Sequence, residues 1–345
     1  MAAPHPKLAC VGTFHSANLK EVCSRTHESK YNASVSSLLC RRHFEQLRLS
    51  RFEASKLEDL MQSHKVTGGG GAQIHVVETG NRQGRSILYI HGMSQCWLAW
   101  SRQLNSDLAQ DYRLVAMDMR GHGLSDKPEQ GYADTELWAD DVNAVIETLR
   151  LHNPVLCGWS YGPLAILDYV RHYGEDNVGG LHFVGGVTKL GSEDAVAVLT
   201  PEFLGLLAGF FSTDVRESAS SLEALLRSCF AREPAIEDLY LMLGYNISVP
   251  PYVRQALLSR SVNSDDILAK IRKPVLVTHG SADALVKPSS ADQHKAAMPH
   301  AEVHMMENAG HACFWDDAAS FNRRQREFAN SLGRKSGADG RSQPS

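Results

Sequence analysis

The 345-residue chain has no apolar run of the roughly 18–20 residues that a membrane-spanning helix needs. Its seven cysteines are scattered and never form a C-x-x-C pair, so the sequence shows neither a disulfide framework nor a zinc ligand set. The net charge is −4, which does not favour nucleic-acid binding through phosphate contacts. We therefore expect free thiols in a reducing compartment, the cytoplasm, with no membrane span, no nucleic acid and no bound metal.

The two ends of the chain differ from the rest. Residues 1–59 are rich in Ser, His and Arg and show no strand or helix period, which predicts a poorly ordered N-terminal extension. Organelle targeting by this extension and a packed helical arm stay open as alternatives. Residues 334–345 are mostly Gly, Ser, Arg and Pro without apolar anchors, and we expect a disordered tail.

From residue 60 onward, short apolar segments alternate with helix-like stretches. The glycine run 68–71 lies between two apolar segments and predicts a β-hairpin, with a flexible linker as the alternative. Six further segments are predicted to be buried strands: 86–91, 112–118, 154–158, 181–184, 274–279 and 301–306. Helical patterns occupy 97–110, 135–151, 163–173, 289–298 and 316–332. This alternation indicates an α/β fold with a doubly wound, mostly parallel sheet.

One long interval interrupts the alternation. Residues 188–270 have mainly helical patterns and no convincing buried strand, and they are too numerous for a plain loop. We interpret this interval as a helical cap, inserted after strand 6 and covering the sheet edge where open α/β sheets bind ligands. Segments 60–187 and 271–333 then form the core.

The strongest local motif is the pentapeptide 158–162, which reads GWSYG. It follows a predicted buried strand and precedes a predicted helix, which is the setting of a G-x-S-x-G nucleophile turn. Gly158 and Gly162 avoid side-chain collisions in an abrupt turn, and Ser160 is held with its hydroxyl projecting from the sheet edge. The alternative is a serine that only caps the helix.

A serine nucleophile needs a base, and the base needs an orienting acid. Asp283 lies in the loop after the strand 274–279 and suits the acid. His311 lies in the loop after the strand 301–306 and suits the base. The carboxyl ends of parallel strands share one edge, so we expect these three side chains to converge.

An acyl-transfer intermediate also needs N–H donors for its oxyanion. The backbone N–H of Tyr161, directly after the nucleophile, is one expected donor. Met93 is the other, because it follows the first core strand and Gly92 lets the backbone approach closely. An ordinary tight turn is the alternative for this second loop.

Together these segments resemble the α/β-hydrolase fold superfamily, in the serine branch of bacterial arylesterases and cofactor-free haloperoxidases. The resemblance rests on residues 91–92, 118–125, 158–162, 280–283 and 310–311 and covers about residues 60–333. It implies that Arg120 and His122 belong to a structural turn near the site. Pro163 departs from the family, which more often has Gly or Ala there.

We therefore expect a serine hydrolase that cleaves a small ester or related acyl bond through an acyl-enzyme, with water as co-substrate. No cofactor is implied. Carbon–carbon hydrolysis, lactone opening, amide cleavage and perhydrolysis use the same triad and stay open. A ligand receptor on the same scaffold and an inactive structural homologue also stay open, and a homo-oligomer is compatible with each of these functions.

Overall fold

A computed structural model describes residues 61–332 of the chain. The predictions for the N-terminal extension 1–59 and the tail 334–345 lie outside the described residues. Among residues 61–332 we find no helix that combines the length and the apolar character needed to cross a bilayer.

Within the described part of the chain, eight strands form one sheet and two more form a small ribbon. The sheet order is β1-β2-β4-β3-β5-β6-β9-β10, with antiparallel pairing of β1 with β2 and β2 with β4 and parallel pairing elsewhere. The strands are β1 (Gln62–Thr67), β2 (Gln73–Gly80), β3 (Ser86–Ile90), β4 (Arg113–Met117), β5 (Val155–Trp159), β6 (Gly180–Val184), β7 (Lys189–Leu190), β8 (Val262–Asn263), β9 (Val275–Gly280) and β10 (Glu302–Met306). The predicted α/β fold with a mostly parallel sheet is confirmed.

The sheet is covered on both faces, which explains its unbroken apolar strands. Every residue of β3, β5 and β6 is buried. Within β3, Leu88 and Ile90 belong to one hydrophobic core, whereas Ile87 and Tyr89 belong to the other. This alternation follows from the period of two in a strand and places one core on each side of the sheet.

Thirteen α-helices lie within the described residues. They are α1 (Ser101–Leu104), α2 (Leu108–Asp111), α3 (Thr135–Thr148), α4 (Gly162–Tyr173), α5 (Glu193–Ala197), α6 (Pro201–Phe211), α7 (Val215–Ser228), α8 (Ile236–Ile247), α9 (Pro251–Leu258), α10 (Asp265–Leu268), α11 (Ser289–Ala297), α12 (Cys313–Asp316) and α13 (Ala318–Ser331). Helices α3 and α4 contribute Trp138 and Leu164 to one core, and α13 contributes Phe321 and Phe328 to the other.

The sequence prediction of a single helix over 97–110 is wrong. The structure has a 3₁₀ turn at Trp97–Trp100, followed by α1 and α2. The Ser106 hydroxyl donates to the carbonyl of Gln103 and accepts from the N–H of Leu108. This side chain thereby competes with helical backbone pairing and separates α1 from α2.

The segment 188–270 lies between β6 and β9 and contains helices α5 to α10. It also contains the two-stranded ribbon β7–β8, in which Leu190 pairs with Val262. Each strand of this ribbon has only two residues, which is too few to produce an alternating sequence pattern, so the sequence predicted no strand there. The N-terminal hairpin forms as predicted, with a 3₁₀ turn at Gly69–Gly71 between β1 and β2.

Candidate active site

Ser160 occupies the sharp turn that joins β5 to α4. Its φ of 57° lies in the left-handed region, which a serine adopts only where its surroundings impose it. Its N–H donates to the carbonyl of Val184, and its carbonyl accepts from the N–H of Val187. The turn is therefore held by the adjacent strand β6 and the loop that follows it.

The flanking glycines are required by close backbone approach. A Cβ on Gly158 would lie 2.7 Å from the carbonyl carbon of Gly162, and a Cβ on Gly162 would lie 2.5 Å from the carbonyl oxygen of Ile90. Pro163 falls within the first turn of α4, where the absent N–H costs no helical hydrogen bond. The turn thus accommodates the one residue that departs from the family pattern.

The Gly162→Ala variant is expected to lose about 1–3 kcal/mol of unfolding free energy, because the added methyl group overlaps the Ile90 carbonyl. Urea unfolding measures this loss. Gly205→Ala is the matched control, since Gly205 is an exposed residue of α6 with no atom within 4 Å of its added Cβ. That control should gain stability from helix propensity. An equal change in both variants would contradict the steric explanation of the turn.

The structure brings Asp283 and His311 into contact at the carboxyl edge of the sheet. Nδ1 of His311 lies 2.8 Å from Oδ2 of Asp283. Asp283 follows β9 and His311 follows β10, and both side chains are buried. Nε1 of Trp159 donates to the His311 carbonyl at 3.0 Å, which ties the histidine loop to the end of β5.

The carboxylate of Asp283 is saturated with hydrogen-bond donors. Oδ1 accepts from the N–H groups of Leu285 and Val286 at 2.8 and 2.9 Å. Oδ2 lies 3.0 Å from Nε2 of His279, besides its contact with His311. Burial raises the pKa of this carboxyl, but His311 and His279 outweigh burial and hold the pKa well below its usual range. Asp283 is therefore ionised in the folded protein at neutral pH.

Ser160 and His311 line the same cavity. Within residues 61–332 no hydrogen bond joins the Ser160 hydroxyl to His311, so the structure assembles the acid–base half of the set and leaves the nucleophile beside it. Contacts between nucleophile and base are often longer before substrate binds. Ser160 and His311 therefore share one cavity wall without a direct hydrogen bond.

The two predicted oxyanion donors lie on this cavity as well. Gly92, Met93 and Tyr161 line it together with Ser160. Within the described residues, the backbone N–H groups of Met93 and Tyr161 donate no hydrogen bond. A Cβ on Gly92 would lie 3.0 Å from the Cβ of Ser160, so the glycine permits the close approach of the two loops. Two free N–H donors beside a nucleophile suit an oxyanion.

The cavity has a volume of about 60 Å³ and mostly apolar walls. The segment 188–270 supplies eight of its lining residues: Lys189, Leu190, Ala195, Leu199, Phe203, Leu225, Cys229 and Leu258. The Lys189 ammonium is paired with Asp265 at 2.8 Å. The walls therefore favour an uncharged, short-chain ligand.

A buried ion pair ties this helical segment to the nucleophile turn. Arg260 follows α9 and pairs with Asp168 of α4 at 2.6 Å, with both side chains fully buried. Nη1 of Arg260 also donates to the Tyr161 hydroxyl at 3.1 Å. Burial raises the pKa of Tyr161 to about 12, so its phenol stays neutral. The residue that carries one oxyanion N–H is thus held through its side chain.

Arg120 and His122 lie away from this cavity, in the structural turn that the family resemblance implied. Arg120 pairs with Asp141 at 2.6 Å. Nδ1 of His122 contacts the Arg120 carbonyl, and its Nε2 accepts from the N–H of Ser94. Burial lowers the pKa of His122 to about 3, which keeps this ring neutral and able to accept. The turn therefore supports the loop that carries Met93.

Sequence reasoning missed His279, Gln95 and Arg260. His279 is the residue before Gly280 on β9, so its place at a strand end beside Asp283 was the available signal. Gln95 and Arg260 carry no local motif, and only the folded chain reveals their partners. Within residues 61–332 no three His, Cys, Asp or Glu side chains lie close enough together to hold a metal ion.

A family model for the alpha/beta hydrolase fold matches residues 85–318. The chain therefore belongs to the alpha/beta hydrolase fold family. The match spans the sheet from the start of β3 to the start of α13, including every element that carries the candidate site.

Individual relatives agree with this assignment. The structure of esterase RhEst1 from Rhodococcus sp. ECU1013 is 34% identical with a TM-score of 0.75, and covers 79% of this chain and 99% of its own. A candidate aryl esterase from Burkholderia cenocepacia is 33% identical with a TM-score of 0.74, at the same coverage. The non-heme chloroperoxidase CPO-A1 of Kitasatospora aureofaciens is 27% identical over 258 residues, which are 72% of this chain and 93% of that protein. The resemblance to arylesterases and haloperoxidases is confirmed.

Proposed function

We propose that the protein is a serine hydrolase that cleaves small, uncharged esters through an acyl-enzyme intermediate. The observation that carries this proposal is the convergence on one cavity of a left-handed Ser160, the Asp283–His311 pair and two free backbone N–H groups. The similarity to esterases supports the same conclusion. We also propose that the helical segment 188–270 serves as the cap, since it supplies much of the cavity wall.

In this mechanism the Ser160 hydroxyl oxygen attacks the ester carbonyl while Nε2 of His311 takes its proton. Asp283 fixes the His311 tautomer through Nδ1 and stabilises the imidazolium that forms. The N–H groups of Met93 and Tyr161 bind the oxyanion. His311 then passes the proton to the departing alcohol. Water then attacks the carbonyl of the acyl-enzyme, again with proton transfer through His311, and the acid is released from Ser160.

The test measures turnover of p-nitrophenyl acetate together with labelling by a fluorophosphonate probe. Repeated turnover and stoichiometric labelling of Ser160 support the hydrolase. A single acylation by p-nitrophenyl acetate whose acetyl group is released only slowly supports a receptor instead, when a ligand also raises the melting temperature. Labelling at a residue other than Ser160 contradicts the nucleophile assignment.

The cavity size predicts a preference for short acyl chains. Each methylene that the wall covers is worth about 0.8 kcal/mol, or about fourfold in kcat/KM. We expect kcat/KM to rise from the acetate to the butyrate ester and to fall for the octanoate, because the chain then outgrows a cavity of about 60 Å³. Steady-state kinetics on the three p-nitrophenyl esters measure this order. An octanoate ester that is cleaved faster than the butyrate would contradict it.

Perhydrolysis is a second candidate, favoured by the similarity to the chloroperoxidase. Hydrogen peroxide would replace water as the acceptor of the acyl group, and the peracid so formed would oxidise halide. Monochlorodimedone chlorination in the presence of acetate, chloride and peroxide, compared with ester hydrolysis, separates the two activities.

A further inference from the structure

Gln95 is a polar residue in an otherwise apolar part of the cavity wall. It follows the loop that carries Gly92 and Met93, is only 3% exposed, and lines the cavity together with Ser160. It also lines a smaller adjoining cavity of about 10 Å³. Gln95 thus belongs to the wall of both cavities.

The orientation of this amide follows from its partner on α8. Asn246 is fully buried, and its Nδ2 donates to the Met242 carbonyl at 2.8 Å. Its Oδ1 is therefore the atom that faces Gln95, and Nε2 of Gln95 donates to it at 3.5 Å. This contact is at the long limit for a hydrogen bond. Oε1 of Gln95 accepts no hydrogen bond from any residue within 61–332.

The loop beside Gln95 is held in a costly conformation. Ser94 has a φ of 62°, in the left-handed region, and its buried hydroxyl has no partner among the described residues. Its N–H donates to Nε2 of His122 at 3.1 Å, which fixes the loop. Backbone strain is unfavourable, and such strain concentrates where a ligand is bound. An apolar side chain would line this wall at lower cost.

We propose that Gln95 is a specificity-determining residue whose Oε1 accepts a hydrogen bond from a hydroxyl or amide N–H on the substrate. The proposal rests on the proposed esterase function and narrows its substrate class to short-chain esters that carry a neutral hydrogen-bond donor near the scissile carbonyl. A neutral donor fits because the described residues that line the cavity include no carboxylate to pair with a cationic donor. A substrate that covers Oε1 without supplying a donor displaces water and leaves this oxygen unpaired, which the enzyme discriminates against.

The kinetic test compares matched esters that differ in one hydroxyl group. p-Nitrophenyl 3-hydroxybutyrate is compared with p-nitrophenyl butyrate, and 2-hydroxyethyl butyrate with propyl butyrate, so the two pairs place the donor on the acyl and the alcohol side. In wild type, kcat/KM is expected to favour the hydroxylated ester of one pair by about tenfold, the effect of one satisfied buried hydrogen bond. In Gln95→Met, which keeps the length of the side chain and removes its amide, that ratio falls towards one.

The matched control is Leu199→Met, which alters the same wall without touching the amide. Its ratio should equal that of wild type. A ratio near one for both pairs in wild type overturns the proposal, and so does a Gln95→Met variant that loses activity on both members of a pair equally. The second result would show that Gln95 only supports the structure.

A binding measurement separates this proposal from the esterase function. In Ser160→Ala, isothermal titration calorimetry compares methyl 3-hydroxybutyrate with methyl butyrate, and 2-hydroxyethyl butyrate with propyl butyrate, without any turnover. We expect about tenfold tighter binding of the donor-bearing member of one pair, lost in Ser160→Ala/Gln95→Met. Equal binding within both pairs overturns the Gln95 proposal even where esters are cleaved. A donor preference in a protein that cleaves no ester overturns the proposed function and leaves the Gln95 site standing.

Discussion

Replacing Ser160 with alanine is expected to lower kcat for ester hydrolysis by about 10⁴- to 10⁶-fold, the range seen when a triad serine is removed. The variant keeps the turn, because Gly158 and Gly162 still allow the close approach of β5 and α4. Its melting temperature should therefore stay near that of wild type. Hydrolysis of p-nitrophenyl butyrate and fluorophosphonate labelling measure the loss.

The chain supplies an unusually close control for this variant. Ser63, His75 and Asp118 form a second hydrogen-bonded row, with Ser63 Oγ 3.0 Å from Nε2 of His75 and Nδ1 of His75 2.8 Å from Oδ2 of Asp118. Ser63→Ala should keep wild-type kcat and wild-type labelling. A large loss of activity in Ser63→Ala, or an active Ser160→Ala protein, would show that the assignment of catalysis to Ser160 is wrong.

Hydrogen bonding alone would favour the Ser63 row over the proposed Ser160 site, since Ser63 is bonded to its histidine and Ser160 is not. Ser63 is exposed on the edge strand β1 and does not line the cavity. Ser160 has two free N–H donors beside it and lies on a mostly apolar cavity wall that would cover the acyl group of the proposed substrate. Stabilising the oxyanion in a water-excluded site is the larger contribution to the rate, whereas a missing serine–histidine contact can form when substrate binds.

Sequence reasoning predicted that Ser160, Asp283 and His311 lie at one sheet edge because each follows an apolar strand, and the ends of parallel strands meet by topology. The glycines of the turn were equally readable from the motif, although only the structure shows that Gly162 lies against the Ile90 carbonyl of β3. These inferences need only local pattern and the shared direction of the strands.

The residues that escaped prediction depend on contacts across the fold. Gln95 meets Asn246 from a helix 151 positions away, and Arg260 meets Asp168 across 92 positions. No periodicity encodes which helix of the segment 188–270 lies over which loop. The broken helix at 97–110 escaped for a different reason, because a single serine hydroxyl decided between helix and turn.

Asp283→Asn is expected to lower kcat by about 10⁴-fold while leaving the fold intact, because the change acts on the tautomer of His311. Asparagine must keep its oxygen towards the N–H groups of Leu285 and Val286, which can only donate. Its NH₂ group then faces Nδ1 of His311. That nitrogen must accept, so the ring proton moves to Nε2.

A histidine protonated at Nε2 cannot take the proton of Ser160, and this is why a substitution of nearly identical shape removes most of the rate. His279 does not rescue the variant, because its Nε2 also lies 3.0 Å from the Val286 carbonyl and keeps its proton there. Steady-state kinetics measure the loss, with circular dichroism melting as the check on folding. Asp126→Asn is the matched control, since its Oδ2 accepts only the Gln73 N–H far from the cavity. An Asp283→Asn enzyme within tenfold of wild type would show that the His311 ring does not depend on the carboxylate for its orientation.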